Sequence, residues 1–195
     1  LRADLEQRGI AVEEVSEAEF ATLAATEHPQ GIVAVYVPQE WSLDDLLPTP
    51  GRPLVILDAV QDPGNVGTIA RTAIAFGASG LIALPGTADL ENPKTVRGAM
   101  GALFRLPHLH ADDVALLHWL TTHGVALWAT AMDGTPILSG APPFPVAIVL
   151  GNEGAGVRDD LLARADRRVA IPIQPVAESL NVAVAAGIIL HQVTR

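Results

Sequence analysis

Five polar side chains, Asn65, Arg71, Glu153, Ser179 and Asn181, each stand a short way past an apolar run, where a loop can present them to a ligand. The first two lie in residues 57–77, LDAVQDPGNVGTIARTAIAFG. There an apolar run ends at Asp58, a polar loop with Pro63, Gly64 and Gly67 follows, and a helical pattern begins. Backbone N–H groups at such a helix start can hold an anion, Asn65 or Thr68 can cap it, and Arg71 falls in the first helical turns. An ordinary strand–loop–helix joint with a solvated Arg has the same composition. The glycines form neither a GxGxxG fingerprint nor a Walker loop, so a dinucleotide or ATP site is weakly supported. The second segment is residues 149–157, VLGNEGAGV. Glycine lets a backbone approach a ligand closely, and Glu153 is a carboxylate that no turn requires, although a Gly-rich turn alone is common structure. The third is residues 169–190, VAIPIQPVAESLNVAVAAGIIL, a strand, a Pro-containing loop and a very apolar helix. Ser179 or Glu178 can cap that helix, which puts Asn181 in its first turn, where an amide needs a partner.

Three segments so far apart in sequence need a frame that brings them together. From Pro53 onward, strands are expected over residues 54–57, 81–84, 125–130, 146–150 and 169–171. Helices are expected over 65–76, 94–103, 114–123, 158–165 and 180–193. Short apolar strands alternating with helices imply an α/β fold: a mostly parallel sheet with helices on both faces. Ligands of such sheets bind beyond the carboxyl ends of the strands, where all three segments fall. Residues 1–37 read as a separate small α/β piece: a helix over 2–8 closed by Gly9, a strand around Ile10, Val12 and Val15, a helix over 17–25, and a strand over 31–37. Residues 38–52, with Pro48, Pro50 and Gly51, read as a linker.

Composition bounds the chemistry. Hydrophobic residues make up 49% of the 195 and aromatics only 4%, so Ala, Val, Leu and Ile must fill a large core. The longest apolar stretch, 182–190, is too short to span a bilayer, and residues 1–20 have no signal-peptide pattern. The chain has no Cys, which excludes disulfides, zinc–thiolate sites and thiol nucleophiles and fits a cytoplasmic location. It begins at Leu1 rather than Met, as a piece of a longer protein would. His108, His110, His118, His123 and His191 lack metal-ligand spacing, so no metal is expected. With 12 Lys+Arg against 22 Asp+Glu, the net charge of −10 opposes indiscriminate nucleic-acid binding. A nucleic-acid enzyme of this charge needs a local basic patch. Lys94 is the single Lys, and the other cations are Arg, which suits bidentate phosphate contact.

Taken in order, DPGNVGTIARTAIAFG, LGNEGAGV and IPI followed by ESLNVAVAAGI resemble the three motifs of the SpoU (TrmH-like) branch of the SPOUT RNA methyltransferases. Residues 92–107, NPKTVRGAMGALFRLP, resemble the family's link between the first two motifs. The likeness runs from about Pro53 to the end of the chain. FATLAATEHPQGIVAV, residues 20–35, is similar to the tail of the small ribosomal-protein-like substrate-binding domain that often precedes the catalytic one. In the third motif, Pro175 stands where the family commonly has Gly, and Ala183 where it commonly has Ser. Pro175 removes an N–H and fixes φ in the loop expected beside the adenine.

The resemblance implies a C-terminal trefoil knot, S-adenosylmethionine bound within it, a homodimer, and methylation of a ribose 2′-hydroxyl of RNA. General rules of chain connection alone would give an unknotted sheet. Carried onto this sequence, it implies cofactor contacts at Thr130, Ala131, Leu150, Gly151, Asn152, Ile171, Pro172 and Leu180. It also implies a catalytic set of Asn65, Arg71, Glu153, Ser179 and Asn181. A guanidinium does not act as a base, so Arg71 is expected to hold a substrate phosphate or the developing alkoxide. Glu153 is expected either to orient Arg71 or to take the proton through water. Arg71, Lys94, Arg97, Arg105 and Arg158 are the cations expected to meet RNA. The accessory domain favours ribosomal over transfer RNA. The other readings are a transfer-RNA 2′-O-methyltransferase, an RNA-binding relative without activity, and a nucleotide-dependent oxidoreductase. The last needs an acidic residue after the second strand, where Pro85 and Gly86 stand.

Overall fold

The computed structural model describes residues 1–24, 29–137, 142 and 144–195. Contacts divide the chain into two units, Leu1–Val37 and Pro38–Arg195. In the first, α1 (Arg2–Gln7) is followed by Gly9 at φ 74°. A second helix, α2 (Glu17–Leu23), starts from a capping box in which Ser16 and Glu19 satisfy each other's backbone N–H. Ala25, the expected end of that helix, lies outside the described residues, as do residues 26–28 of the stretch resembling a substrate-binding domain. The strands expected around 10–15 and over 31–37 do not form. The apolar residues are there, but Val35 and Val37 are 97% and 92% exposed. A strand exists only by pairing, and no ladder partner occurs among the described residues of this unit.

The second unit holds one six-stranded sheet in the order β3-β2-β1-β5-β4-β6, every pair parallel. Its strands are β1 (Leu54–Leu57), β2 (Gly80–Ala83), β3 (His108–His110), β4 (Ala126–Pro136), β5 (Val146–Leu150) and β6 (Arg167–Ala170). Strand alternation sends side chains to two separate cores. Val55, Leu57, Leu81, Ala83, Ile148 and Leu150 pack with α3 (Pro63–Ala75), α4 (Pro93–Gly98) and α7 (Val182–Val193). Leu54, Ile56, Ile82, Ala147 and Val149 pack on the other face with α5 (Asp113–Thr122) and α6 (Asp159–Arg164). Helices therefore cover both faces, as expected.

Several expectations are corrected. Strand β3 was not anticipated: it has three residues, two of them His, and exists through its ladder to β2. Strand β4 runs six residues past Thr130, through a register break between Thr130 and Thr135. It stays so close to β6 that a Cβ on Gly134 would lie 2.6 Å from the Val169 backbone. The expected helix over 94–103 splits into α4 and a 3₁₀ turn at Ala102–Phe104, because Met100 and Gly101 both take positive φ. Residues 38–52 are not a free linker. Leu46 is fully buried beside Gly80, where a Cβ would collide with it. Trp119 donates to Asp44 at 2.9 Å, and Ser79 donates to the Leu46 carbonyl.

Candidate active site

The site is built where β1 and β5 end. Past β1, Asp58 is fully buried and Ala59 takes a positive φ of 55°, a strained conformation for a residue with a Cβ. Asn152 stabilises that kink by donating Nδ2 to the Ala59 carbonyl at 2.8 Å. Helix α3 then starts with Asp62 as its cap, accepting from Gly64 N at 2.7 Å, and Pro63 at its first position. This corrects the expectation that Asn65 or Thr68 caps the helix. Pro has no N–H to leave unpaired and is pre-set for the first turn, so Asp-Pro fixes the helix start at Pro63, two residues earlier than expected. Asn65 is thereby freed for other contacts.

Past β5, residues 151–157 form a tight turn closed by reciprocal backbone bonds between Asn152 and Gly156. The Asn152 Oδ1 accepts from Gly154 N and Ala155 N, both at 2.9 Å. A Cβ on Gly151 would collide with the Gly156–Val157 backbone, so this glycine is required by the turn itself. The back of the turn is clamped by charge. Asp58 Oδ2 accepts from Arg158 N at 2.8 Å and Oδ1 from Arg158 Nε at 2.6 Å. The two terminal nitrogens of Arg158 donate to Asp113 Oδ1 and Oδ2, each at 2.9 Å. Each nitrogen of the Arg158 guanidinium is thus bonded to a carboxylate of the chain, which counts against its nomination as an RNA contact. Asp113, against partial burial and helped by Asp58, holds its guanidinium charged well above the ordinary arginine range.

The front of the turn meets the other two motifs through neutral amides. Asn65 Nδ2 donates to Glu153 Oε1 at 2.9 Å, and Asn65 Oδ1 accepts from Asn181 Nδ2 at 3.0 Å. Asn181 Oδ1 in turn accepts from Ala183 N and Val184 N, at 2.9 and 3.2 Å. Asn181 is therefore the cap of α7, not a residue inside its first turn, and neither Ser179 nor Glu178 takes that role. Gln61 N and Asp62 N also donate to Glu153, at 3.3 and 3.4 Å. Burial alone would raise the Glu153 carboxyl. The Asn65 amide and the backbone N–H groups of Glu153, Gln61 and Asp62 outweigh it and hold the group below the ordinary glutamate value. Glu153 is then a carboxylate that orders the first loop. No hydrogen bond or ion pair joins it to Arg71.

Glu153, at one end of this chain of side chains, lines a cavity of about 260 Å³. Seven of the eight expected cofactor residues line it: Thr130, Ala131, Leu150, Gly151, Asn152, Ile171 and Leu180. Pro172 does not. Ser179 and Glu153 reach it too. Sequence reasoning missed Met132, Ile173, Val182, Ala185 and Ile189. The last three recur at helical spacing on α7, a pattern that reads as core. Apolar Ile171, Ile173, Leu180, Val182 and Ile189 and the polar residues Thr130, Asn152, Glu153 and Ser179 line it together, a mixture that suits a flat nitrogenous ring with a polar edge. A larger hollow of about 930 Å³ opens at the amino end of β4, around Gly124–Leu127, and includes none of the motif residues. Arg71 lines neither and is exposed on α3. Lys94 pairs with Asp62 at 3.1 Å, and Arg97 and Arg105 are exposed. Among the described residues no group of three or more His, Asp or Glu could hold a metal ion.

Comparison with known proteins agrees with this geometry. Residues 52–191 match the SpoU rRNA Methylase family, and residues 1–42 match RNA 2′-O ribose methyltransferase substrate binding. The 23S rRNA (guanosine(2553)-2′-O)-methyltransferase RlmP of Bacillus subtilis is 40% identical over 191 residues, 97% of this chain and 74% of the relative. A 23S rRNA (guanosine-2′-O-)-methyltransferase RlmB of Coxiella burnetii is 37% identical, over 96% and 78%. The rRNA methyltransferase of Sinorhizobium meliloti superposes with a TM-score of 0.88 at 36% identity, over 98% of this chain and 74% of that one. The SpoU methyltransferase AviRb of Streptomyces viridochromogenes, solved with AdoMet, superposes with a TM-score of 0.76 at 32% identity. This chain spans 62% of AviRb's length, with 80% of its own residues aligned. Three motifs joined side chain to side chain, the second and third of them lining one cavity, together with a match over most of the length, place this chain in the SpoU rRNA methylase family.

Proposed function

We propose that this chain is an S-adenosylmethionine-dependent RNA methyltransferase acting on a ribose 2′-hydroxyl, with ribosomal RNA as substrate. The observation that carries the reading is the Glu153–Asn65–Asn181 chain, whose Glu153 end lines the 260 Å³ cavity. The names of the relatives, 23S rRNA 2′-O-methyltransferases among them, favour ribosomal over transfer RNA. Ile171, Ile173, Leu180 and Val182 would hold the adenine, and the 150–152 backbone the rest of the cofactor. When bound, the cofactor supplies an electrophilic methyl group on a sulfonium sulfur. Asn65 and Asn181 keep the first and third loops in register, so that the ribose meets a fixed surface. Arg71 is the cation that holds a substrate phosphate or the alkoxide as the hydroxyl proton leaves. Ser179 stands at the cavity wall, where its hydroxyl can orient the ribose.

A homodimer belongs to the same proposal. Val176, Leu180, Val184 and Met132 are exposed apolar side chains near the cavity mouth, a surface that a second copy would cover. Such packing is also a means of bringing an Arg71 to a cavity that its own Arg71 does not line. The trefoil knot, the assignment of residues 1–37 to substrate binding and a cytoplasmic location are expectations of the same reading. No helix among the described residues is long and apolar enough to cross a membrane. The test is Arg71→Lys, assayed with radiolabelled cofactor and unmodified 23S rRNA transcript. Cofactor affinity is expected to stay within twofold while turnover falls about a hundredfold, a typical loss for a removed stabiliser of developing charge. Unchanged turnover would reject the role of Arg71, and absence of cofactor binding by the unaltered chain would reject the function.

A further inference from the structure

Among the described residues that line the 260 Å³ cavity, Glu153 alone carries a formal charge. The other lining residues are Ala, Val, Leu, Ile, Met, Gly, Thr, Asn and Ser. The donors that hold the carboxylate are neutral: Asn65 Nδ2 at 2.9 Å, Gln61 N at 3.3 Å and Asp62 N at 3.4 Å. Bonds of this kind favour the ionised form and fix its position, and they leave its net charge in place. No Arg, Lys or His among the described residues forms an ion pair with it.

The cations that belong to the three motif loops are committed elsewhere. Lys94 pairs with Asp62 at 3.1 Å. Arg158 is bonded to Asp58 and Asp113 behind the 151–157 turn. Arg71 lines no part of the cavity. One uncompensated negative charge therefore stands in an otherwise neutral wall. Such a charge attracts a cationic ligand and is nearly indifferent to a neutral ligand of the same shape. The proposed reaction makes that distinction matter. Methyl transfer breaks the carbon–sulfur bond and leaves its electron pair on sulfur. The ribose oxygen forms the new bond to carbon and gives up its proton. The sulfur thereby passes from a cation to a neutral thioether, while the adenine, ribose and amino-acid parts stay the same.

We propose that Glu153 is the residue by which the cavity tells the charged methyl donor from its spent thioether product, attracting the first and releasing the second. Specificity is a difference of two affinities, and contacts to the parts that the two ligands share contribute nothing to it. The apolar lining residues and the 150–152 backbone supply that common affinity, and the Glu153 charge supplies the difference. The bond to Asn65 keeps the discriminating charge at a fixed place between the first and second motifs. This role needs neither a contact with Arg71 nor a proton taken up by Glu153. The inference rests on the reading of S-adenosylmethionine as cofactor.

The test is calorimetric titration of the full chain and of Glu153→Gln, without RNA, against three ligands. These are S-adenosylmethionine, the neutral thioether S-adenosylhomocysteine, and sinefungin, which carries an ammonium group in place of the methyl sulfonium. Glu153→Gln is expected to weaken both cationic ligands about fivefold, the upper range for an exposed charge pair, and to leave thioether affinity unchanged. The unchanged thioether affinity also shows that the variant keeps its cavity. In the unaltered chain the preference for sulfonium over thioether should shrink as salt is raised, because Glu153 is exposed and its charge is screened. In the variant the remaining preference should not respond to salt. Equal weakening of all three ligands overturns the proposal, since it would put the carboxylate on the ammonium they share or make it a brace for the cavity. So does equal S-adenosylmethionine affinity in the variant and the unaltered chain. Failure of the unaltered chain to bind any of the three is a different result, since it removes the proposed function and not only this role of Glu153.

Discussion

The 151–157 turn is held from behind by ions and from the front by amides. Behind it, a fully buried Asp58 and a second carboxylate, Asp113, share Arg158 in four bonds of 2.6 to 2.9 Å, three from its guanidinium and one from its backbone N–H. In front, exposed Glu153, half-buried Asn65 and exposed Asn181 form a line of side chains with bonds of 2.9 and 3.0 Å. The buried clamp cannot exchange partners without leaving a charge unsolvated. The exposed line can trade a bond for water or ligand at little cost. One side is therefore suited to fixing the turn and the other to receiving a substrate.

The largest break of that contrast is Arg158→Leu. It strands the Asp58 carboxylate in the core and should cost about 3 kcal/mol, the low end for a buried pair because Arg158 is itself part exposed. Urea unfolding measures it, and a loss below about 1 kcal/mol would mean that the clamp is dispensable. Next is Asn181→Ala, which removes the cap of α7 and the link to Asn65. About 1 kcal/mol of stability should go with the cap, together with a clear loss of methyl transfer. An unaffected rate would show that the front line is structural only. The smallest effect is Glu153→Gln. Its carboxyl is held below the ordinary glutamate value, so its contribution to stability is present above the unfolded value and is lost as pH falls through the folded one. The gap between the unaltered chain and Glu153→Gln should be under about 1 kcal/mol near neutrality for so exposed a group. It should then close in acid. A gap that does not vary with pH would contradict the ionised carboxylate.

The sheet was legible from sequence because its strands are short apolar runs alternating with helices, and that pattern survives without knowledge of contacts. The convergence of the three motifs was legible for the same reason, since each follows a strand end. Helix starts were less so. Asp62-Pro63 and Asn181 are both strong start signals, but each was read as part of the adjoining loop or helix. The Asn65–Glu153 bond spans 88 positions and Arg158–Asp58 spans 100, and no local pattern announces either. Arg158 looked like a phosphate ligand because its two carboxylate partners come from elsewhere in the chain. Residues 31–37 misled in the other direction, since β-type composition does not supply a neighbouring strand.

The Leu46 side chain occupies the hollow that Gly80 leaves open, and Asp44 grips the indole of Trp119. Family similarity to the methylase begins at residue 52, yet cohesion begins at 38. Anyone trimming this enzyme to its minimal core, or transplanting that core behind a foreign recognition module, should therefore place the scissors before Pro38. A cut at the similarity border would leave a greasy slot open over the first two strands.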